Sequence, residues 1–197
     1  MEKLACILTE HLIRKNVITE EKRCIYEFGF QIGMEVCLNT VISILIAIAC
    51  GMVVEAIVFF WVFIALRSYA GGLHLRTYLS CLLCSCLSLF ILLSIVKYFY
   101  IGALYSLAIE CISLFLIRIL APVQDINRKM EREEIVKFGK KLDCSIIKIL
   151  FLSILFCILK FYRLLQVVSV TAAFMVGILV IGKISYKKAV SNNQQCI

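Results

Sequence analysis

Arg67-Ser-Tyr-Ala-Gly-Gly-Leu-His74-Leu-Arg-Thr-Tyr-Leu-Ser-Cys81 is a short polar interruption between two long apolar runs. It holds one of the chain's two histidines, a Gly-Gly pair, two arginines and the first of three clustered cysteines, Cys81, Cys84 and Cys86. An imidazole, a thiol and a flexible backbone at the mouth of an apolar run are the parts of a cysteine-nucleophile site. The runs on either side decide the fold, because each is close to the length that crosses a bilayer.

Moving outward, the same pattern repeats. The 197 residues are 62% hydrophobic, and the mean hydropathy is +0.99. Soluble domains are nearer half apolar, and a chain this small has no interior large enough to hide the surplus. Lipid can cover it. The runs are too long for barrel strands and lack period-two alternation. The sequence therefore predicts an all-α, polytopic transmembrane bundle in a single integral membrane domain.

About six spans are expected: Phe28 to Cys50, Val53 to Tyr69, Leu79 to Val96, 101–120, Ser145 to Lys160 and Leu165 to Ile184. Residues 1–27 read as an amphipathic segment, with Leu4, Ile7, Leu8, His11, Leu12 and Lys15 at helical spacing. No secretory signal peptide is visible in this charged stretch. Residues 67–78 read as a catalytic loop and 121–145, entered through Pro122, as a basic loop.

Charge sets the expected orientation. The formal net charge is +8. With six spans, sixteen Lys and Arg residues share one side with both termini, the 67–78 loop and the 121–145 loop, and three lie on the other. The positive-inside rule makes the first side cytoplasmic. Basic residues facing anionic lipid explain this charge better than nucleic acid does, because acids are interspersed among them. The 11 cysteines are odd in number and mostly sit inside apolar runs, which argues against a disulfide framework.

The site chemistry turns on spacing. His74 and Cys81 are seven residues apart, and on one unbroken helix that is about 10 Å along the axis. A working dyad therefore needs His74 outside the next helix or at a kink, with Cys81 in its first turns. There the helix dipole favours a thiolate. Gly71 and Gly72 loosen the chain and Thr77 is a good N-cap. Glu35, inside the first apolar run, is the other candidate. It either orients His74, as a third group orients the base in a triad, or is a carboxylate paired with Arg67. Cys81, Cys84, Cys86 and His74 make a poor metal site, because the three thiols fall on different helix faces and no second ligand pair is apparent. Neither metal nor cofactor is expected. Glu55 and Glu110 look interfacial or interhelical.

Arg67-x-x-x-Gly71-Gly72-x-His74 followed by Cys81 resembles the accessory gene regulator B family of membrane peptidases. Gly33-Met-Glu35 in the first run and Ala121-Pro122-Val123 before the basic loop extend the likeness along the chain. The resemblance implies an enzyme that removes the acidic C-terminal tail of a short, membrane-associated pro-peptide. It implies Cys81 as nucleophile and His74 as base, with a thioester that an internal thiol or hydroxyl of the peptide closes into a thiolactone or lactone signal for quorum sensing. Arg67 and Gly72 fall at further family-typical positions, and Glu35 falls where the family has Glu or Gln. The resemblance also implies a homodimer. From the residues alone, two competing readings remain: a small transporter or export factor, for which Glu35 and Glu110 would be the intramembrane charges, and a membrane scaffold or anti-sensor without chemistry, in which His74 and Cys81 would be replaceable.

Overall fold

The computed structural model describes residues 2–15, 17–71, 78–121 and 132–194, without the side chains of 2, 78–81, 132, 186 and 188–194. The described residues form seven α-helices and one 3-10 turn, with no β-strand: α1 (Glu2–Arg14), the turn Glu20–Lys22, α2 (Arg23–Cys50), α3 (Val53–Ala70), α4 (Tyr78–Tyr98), α5 (Ala103–Leu120), α6 (Arg132–Ile158) and α7 (Tyr162–Gln194). The fold is all-α, as the apolar runs require.

Among these, four stretches are long and apolar enough to cross a membrane: Glu20–Cys50, Val53–Ala70, Ala103–Leu120 and Tyr162–Ser185. In α4 the apolar stretch Leu82–Tyr98 is shorter. The apolar second half of α6 carries Lys148, and Lys141 and Asp143 lie just before it.

Three expected boundaries move. The first span starts at Arg23, inside the 1–27 segment, because Arg23 and Glu27 are ordinary helix residues that pair at 3.5 Å across one turn. The expected loop 67–78 starts inside α3, since Arg67 to Ala70 precede the first breaker, Gly71. Residues 132–144 of the expected basic loop are helical. Their Glu, Lys and Arg residues are strong helix formers. Glu133 and Glu134 fall in the favourable first turn.

The turns between helices follow from local chemistry. Gly51 ends α2 in the left-handed region (φ 68°, ψ 30°). The Met52 amide donates to the Ala47 carbonyl at 2.9 Å and the Gly51 amide to Ile48 at 3.0 Å. This is a Schellman ending, which satisfies carbonyls the helix would leave open. The α6–α7 turn has the same bonds, Phe161 to Phe156 at 2.9 Å and Lys160 to Cys157 at 3.2 Å, but a lysine (φ 61°) fills the left-handed position.

Helix α7 is the hub, packing against α3, α4, α5 and α6. Val168, Ala172, Met175 and Leu179 form one stripe along it and meet Val62 and Leu66 of α3, Leu114 and Ile117 of α5, and Leu142 and Ile149 of α6. The neighbouring Val167 belongs to a second cluster with Ala47 of α2, Phe59 of α3, and Leu89, Leu93 and Val96 of α4. The interlocking of these mostly bulky side chains is how packing substitutes for hydrophobic drive in lipid. Helix α1 packs on α2, burying Ala5 and Thr9 and leaving Leu4, Ile7 and Leu8 exposed. A hydrogen bond with Glu27 pushes the Cys6 thiol above its ordinary pKa.

Candidate functional site

Helices α2 and α4 run parallel, and two hydrogen bonds fix their register. Ser85 Oγ donates to Asn39 Oδ1 at 2.7 Å. Eleven residues further along α2, Lys97 Nζ donates to the Cys50 carbonyl at 3.0 Å. The partners are 46 residues apart in the first bond and 47 in the second. Between them Ala47 packs in the same cluster as Leu92 and Leu93. One offset thus holds along the whole contact.

Carried one turn toward the helix starts, that offset brings the Glu35 position level with the Cys81 position. Residues four apart on a helix differ by only about 40° around its axis. Glu35 therefore shares the face of α2 that carries Asn39, and Cys81 occupies the face of α4 that carries Ser85. Glu35 is half-buried and accepts a hydrogen bond from Gln31 Nε2 at 3.1 Å. Gln31, Glu35 and Asn39 make a polar stripe along the middle of a mostly apolar helix.

Arg67 sits in the last turn of α3. Its Nη1 donates to the Gly71 carbonyl at 2.8 Å, placing a cation at the negative end of the helix. Gly71 has φ 77° and ψ −155°, a region essentially reserved for glycine. The break after α3 is therefore written in Gly71 and held by Arg67. Gly72 and His74 lie outside the described residues, as does Thr77. Cys81 is described as the fourth residue of α4 from Tyr78, by its backbone only.

On the other flank of α4 lies an open, apolar groove of about 320 Å³ against α7, lined by Cys84, Ser88, Ile91, Ile95, Ala173 and Phe174. Cys84 is about 60° around the helix from Cys81, opposite in sense to Ser85. The Cys81 position thus lies between the α2 seam and this groove.

Two polar groups escaped the sequence reading of the site. Asn39 stood in an apolar run and Ser85 between two cysteines, with no periodic pattern tying them together. The signal that could have found them is that a polar side chain at membrane depth needs a partner.

Glu110 is interhelical, as expected, and is completely buried. Ser153 Oγ of α6 donates to its Oε1 at 2.7 Å. Its Oε2 is also buried and has no hydrogen-bond partner among the described residues. Glu55 lies at the opposite end of α3 from Arg67 and pairs with Arg163 of α7 at 3.6 Å.

A family model described as Accessory gene regulator B matches residues 3–183. No curated protein sequence and no solved structure gives a significant match.

Proposed function

This chain belongs to the accessory gene regulator B family, whose role in processing quorum-sensing peptides fits a membrane protein of this build, and on that premise we propose that it is a membrane-embedded cysteine endopeptidase and peptide cyclase. The observation that carries the reading is the α2–α4 register, which brings the Glu35 position level with the Cys81 position, where a nucleophile would need its activating groups. The positive-φ Gly71 break supports it, since a chain break before α4 is what the His74–Cys81 spacing demands.

In this reading His74 takes the Cys81 thiol proton. The thiolate, favoured in the first turns of a helix, attacks the carbonyl carbon of the scissile peptide bond. Backbone N–H groups at the start of α4 hold the resulting oxyanion. His74 returns the proton to the departing amine, the C–N bond breaks, and the acidic tail leaves as the free peptide. The rest of the pro-peptide stays on Cys81 as a thioester. An internal thiol or hydroxyl of that peptide attacks the thioester, its proton passes to the Cys81 sulfur, and the ring closes as a thiolactone or lactone. A water-poor site at the membrane mouth favours this attack over hydrolysis. Glu35 orients His74, Arg67 and Gly72 shape the turn that brings the substrate to the dyad, and no metal or cofactor takes part.

The site faces the cytoplasm in this proposal, on the side where sixteen basic residues gather and where a newly made peptide arrives. That basic face attracts an acidic tail. The chain crosses the membrane about six times, with α4 and α6 as spans beside the four long apolar helices, and works as a homodimer. A small transporter is the second reading, favoured by Glu110, a carboxyl at membrane depth with one oxygen that has no hydrogen-bond partner among the described residues.

The separating experiment is cleavage of a pro-peptide with an acidic tail by membranes carrying each variant. Cys81→Ala abolishes tail release, and Cys84→Ser and Cys86→Ser largely preserve it. Activity in Cys81→Ser together with a dead Cys84→Ser would show that the nucleophile is misassigned.

A further inference from the structure

We propose that Asn39 and Ser85 form a positioning pair that sets the α2–α4 register and so delivers Glu35 to the nucleophile; this rests on the peptidase reading for its catalytic consequence, but not for its geometry. Asn39 stands sixteen residues into α2, among Val36, Leu38, Val41 and other apolar neighbours. The Ser85 hydroxyl has a single proton and two acceptors in reach, Asn39 Oδ1 at 2.7 Å and the Leu82 carbonyl at 3.0 Å. The shorter, interhelical bond takes it. Cys86 Sγ lies 4.0 Å from the same Asn39 oxygen, so two donors of α4 converge on one acceptor of α2.

Apart from the exposed Lys97–Cys50 bond at the far end, the rest of the α2–α4 contact is poorly keyed. Ala47 and Leu93 meet through smooth apolar surface, and such surface tolerates sliding by a turn. Only 11% of the apolar stretch within Glu20–Cys50 is buried, so little close burial resists displacement. A single polar pair in an apolar seam is a well-attested way to fix helix register. Slipping α2 by one turn would leave Asn39 without its donor and move Glu35 about 5.4 Å away from Cys81.

The test has a geometric arm and a catalytic arm. In a full-length chain whose only native cysteine is Cys81, Glu35→Cys is added and the membranes are mildly oxidised. An intramolecular disulfide is expected to form readily, and adding Asn39→Leu is expected to slow it several-fold. Separately, with otherwise native residues, Asn39→Leu and the milder Ser85→Ala should lower kcat for tail release roughly tenfold while KM stays within about twofold. The swap Asn39→Ser with Ser85→Asn, which restores donor and acceptor, should recover most of kcat. Ser94→Ala serves as the control, since among the described residues Ser94 bonds only within its own helix, to the Phe90 carbonyl at 2.8 Å.

An absent Glu35→Cys cross-link overturns the level pairing. A cross-link unchanged by Asn39→Leu overturns the register role. A slowed cross-link with unchanged kcat overturns the delivery of Glu35. If the native chain releases no tail, the peptidase reading and the catalytic half of the pair fall together, and the cross-link still decides the register.

Discussion

Helices α2 and α7 are both long and apolar, yet they occupy opposite situations. Half of the apolar window in α7 is buried inside the protein, against 11% for the window that includes α2. Helix α7 meets four neighbours and joins both hydrophobic clusters. Helix α2 hangs at the periphery, tied by α1, α3 and α4. Even so, α2 carries Glu35 and Asn39, and α7 carries none of the candidate site residues. In the proposed reading, stability and chemistry are assigned to different helices. The interior helix holds the bundle together through shape. The peripheral helix is located by a few polar bonds, so the proposed function is sensitive to changes that scarcely touch stability.

Truncation separates the two helices most sharply. Met175→Ala or Leu179→Ala removes a fully buried side chain from the α7 stripe and should cost about 2–5 kcal/mol. Val41→Ala or Ile44→Ala, on a face of α2 that is about half exposed, should stay within about 0.5 kcal/mol. Thermal unfolding in detergent measures both. Equal losses on the two helices would break the comparison.

A smaller effect is expected at the polar point of the α5–α6 contact. Ser153→Ala takes away the hydrogen bond to Glu110, leaving a buried carboxyl with no partner, at a cost of about 1–3 kcal/mol. Adding Glu110→Leu to Ser153→Ala removes both polar groups and should recover part of the loss. Unfolding of the single and double variants in the same detergent checks this. A double variant less stable than Ser153→Ala would show that Glu110 has an attraction beyond Ser153.

The smallest effect concerns how each helix is bounded. Helix α2 ends on Gly51 and α7 is entered through Lys160, both in the left-handed region. A lysine there is strained by roughly 1 kcal/mol. Lys160→Gly should therefore raise the unfolding midpoint slightly. Gly51→Lys should lower it, although nothing lies within 4 Å of the added Cβ, because the penalty is conformational. If both substitutions leave the midpoint unchanged, the turn geometry is not limiting.

Much of this protein was legible in its sequence, for definable reasons. Long apolar runs fixed the all-α class and the core of each helix, because lipid demands internally satisfied backbone. Gly51 and Gly71 marked the ends of α2 and α3, because few other residues adopt those angles without strain. The Arg67, Gly72, His74 and Cys81 pattern pointed to the family. Charge misled at 132–144, where residues that read as loop are also good helix formers. Tertiary structure alone decided which apolar helix lies inside, since composition cannot distinguish a face turned to lipid from one turned to protein. It alone paired Glu110 with Ser153 and Asn39 with Ser85, across separations of 43 and 46 residues. No local period encodes such pairs. They arise only when packing sets one helix beside another, and the level placement of Glu35 and Cys81 follows from the second of them.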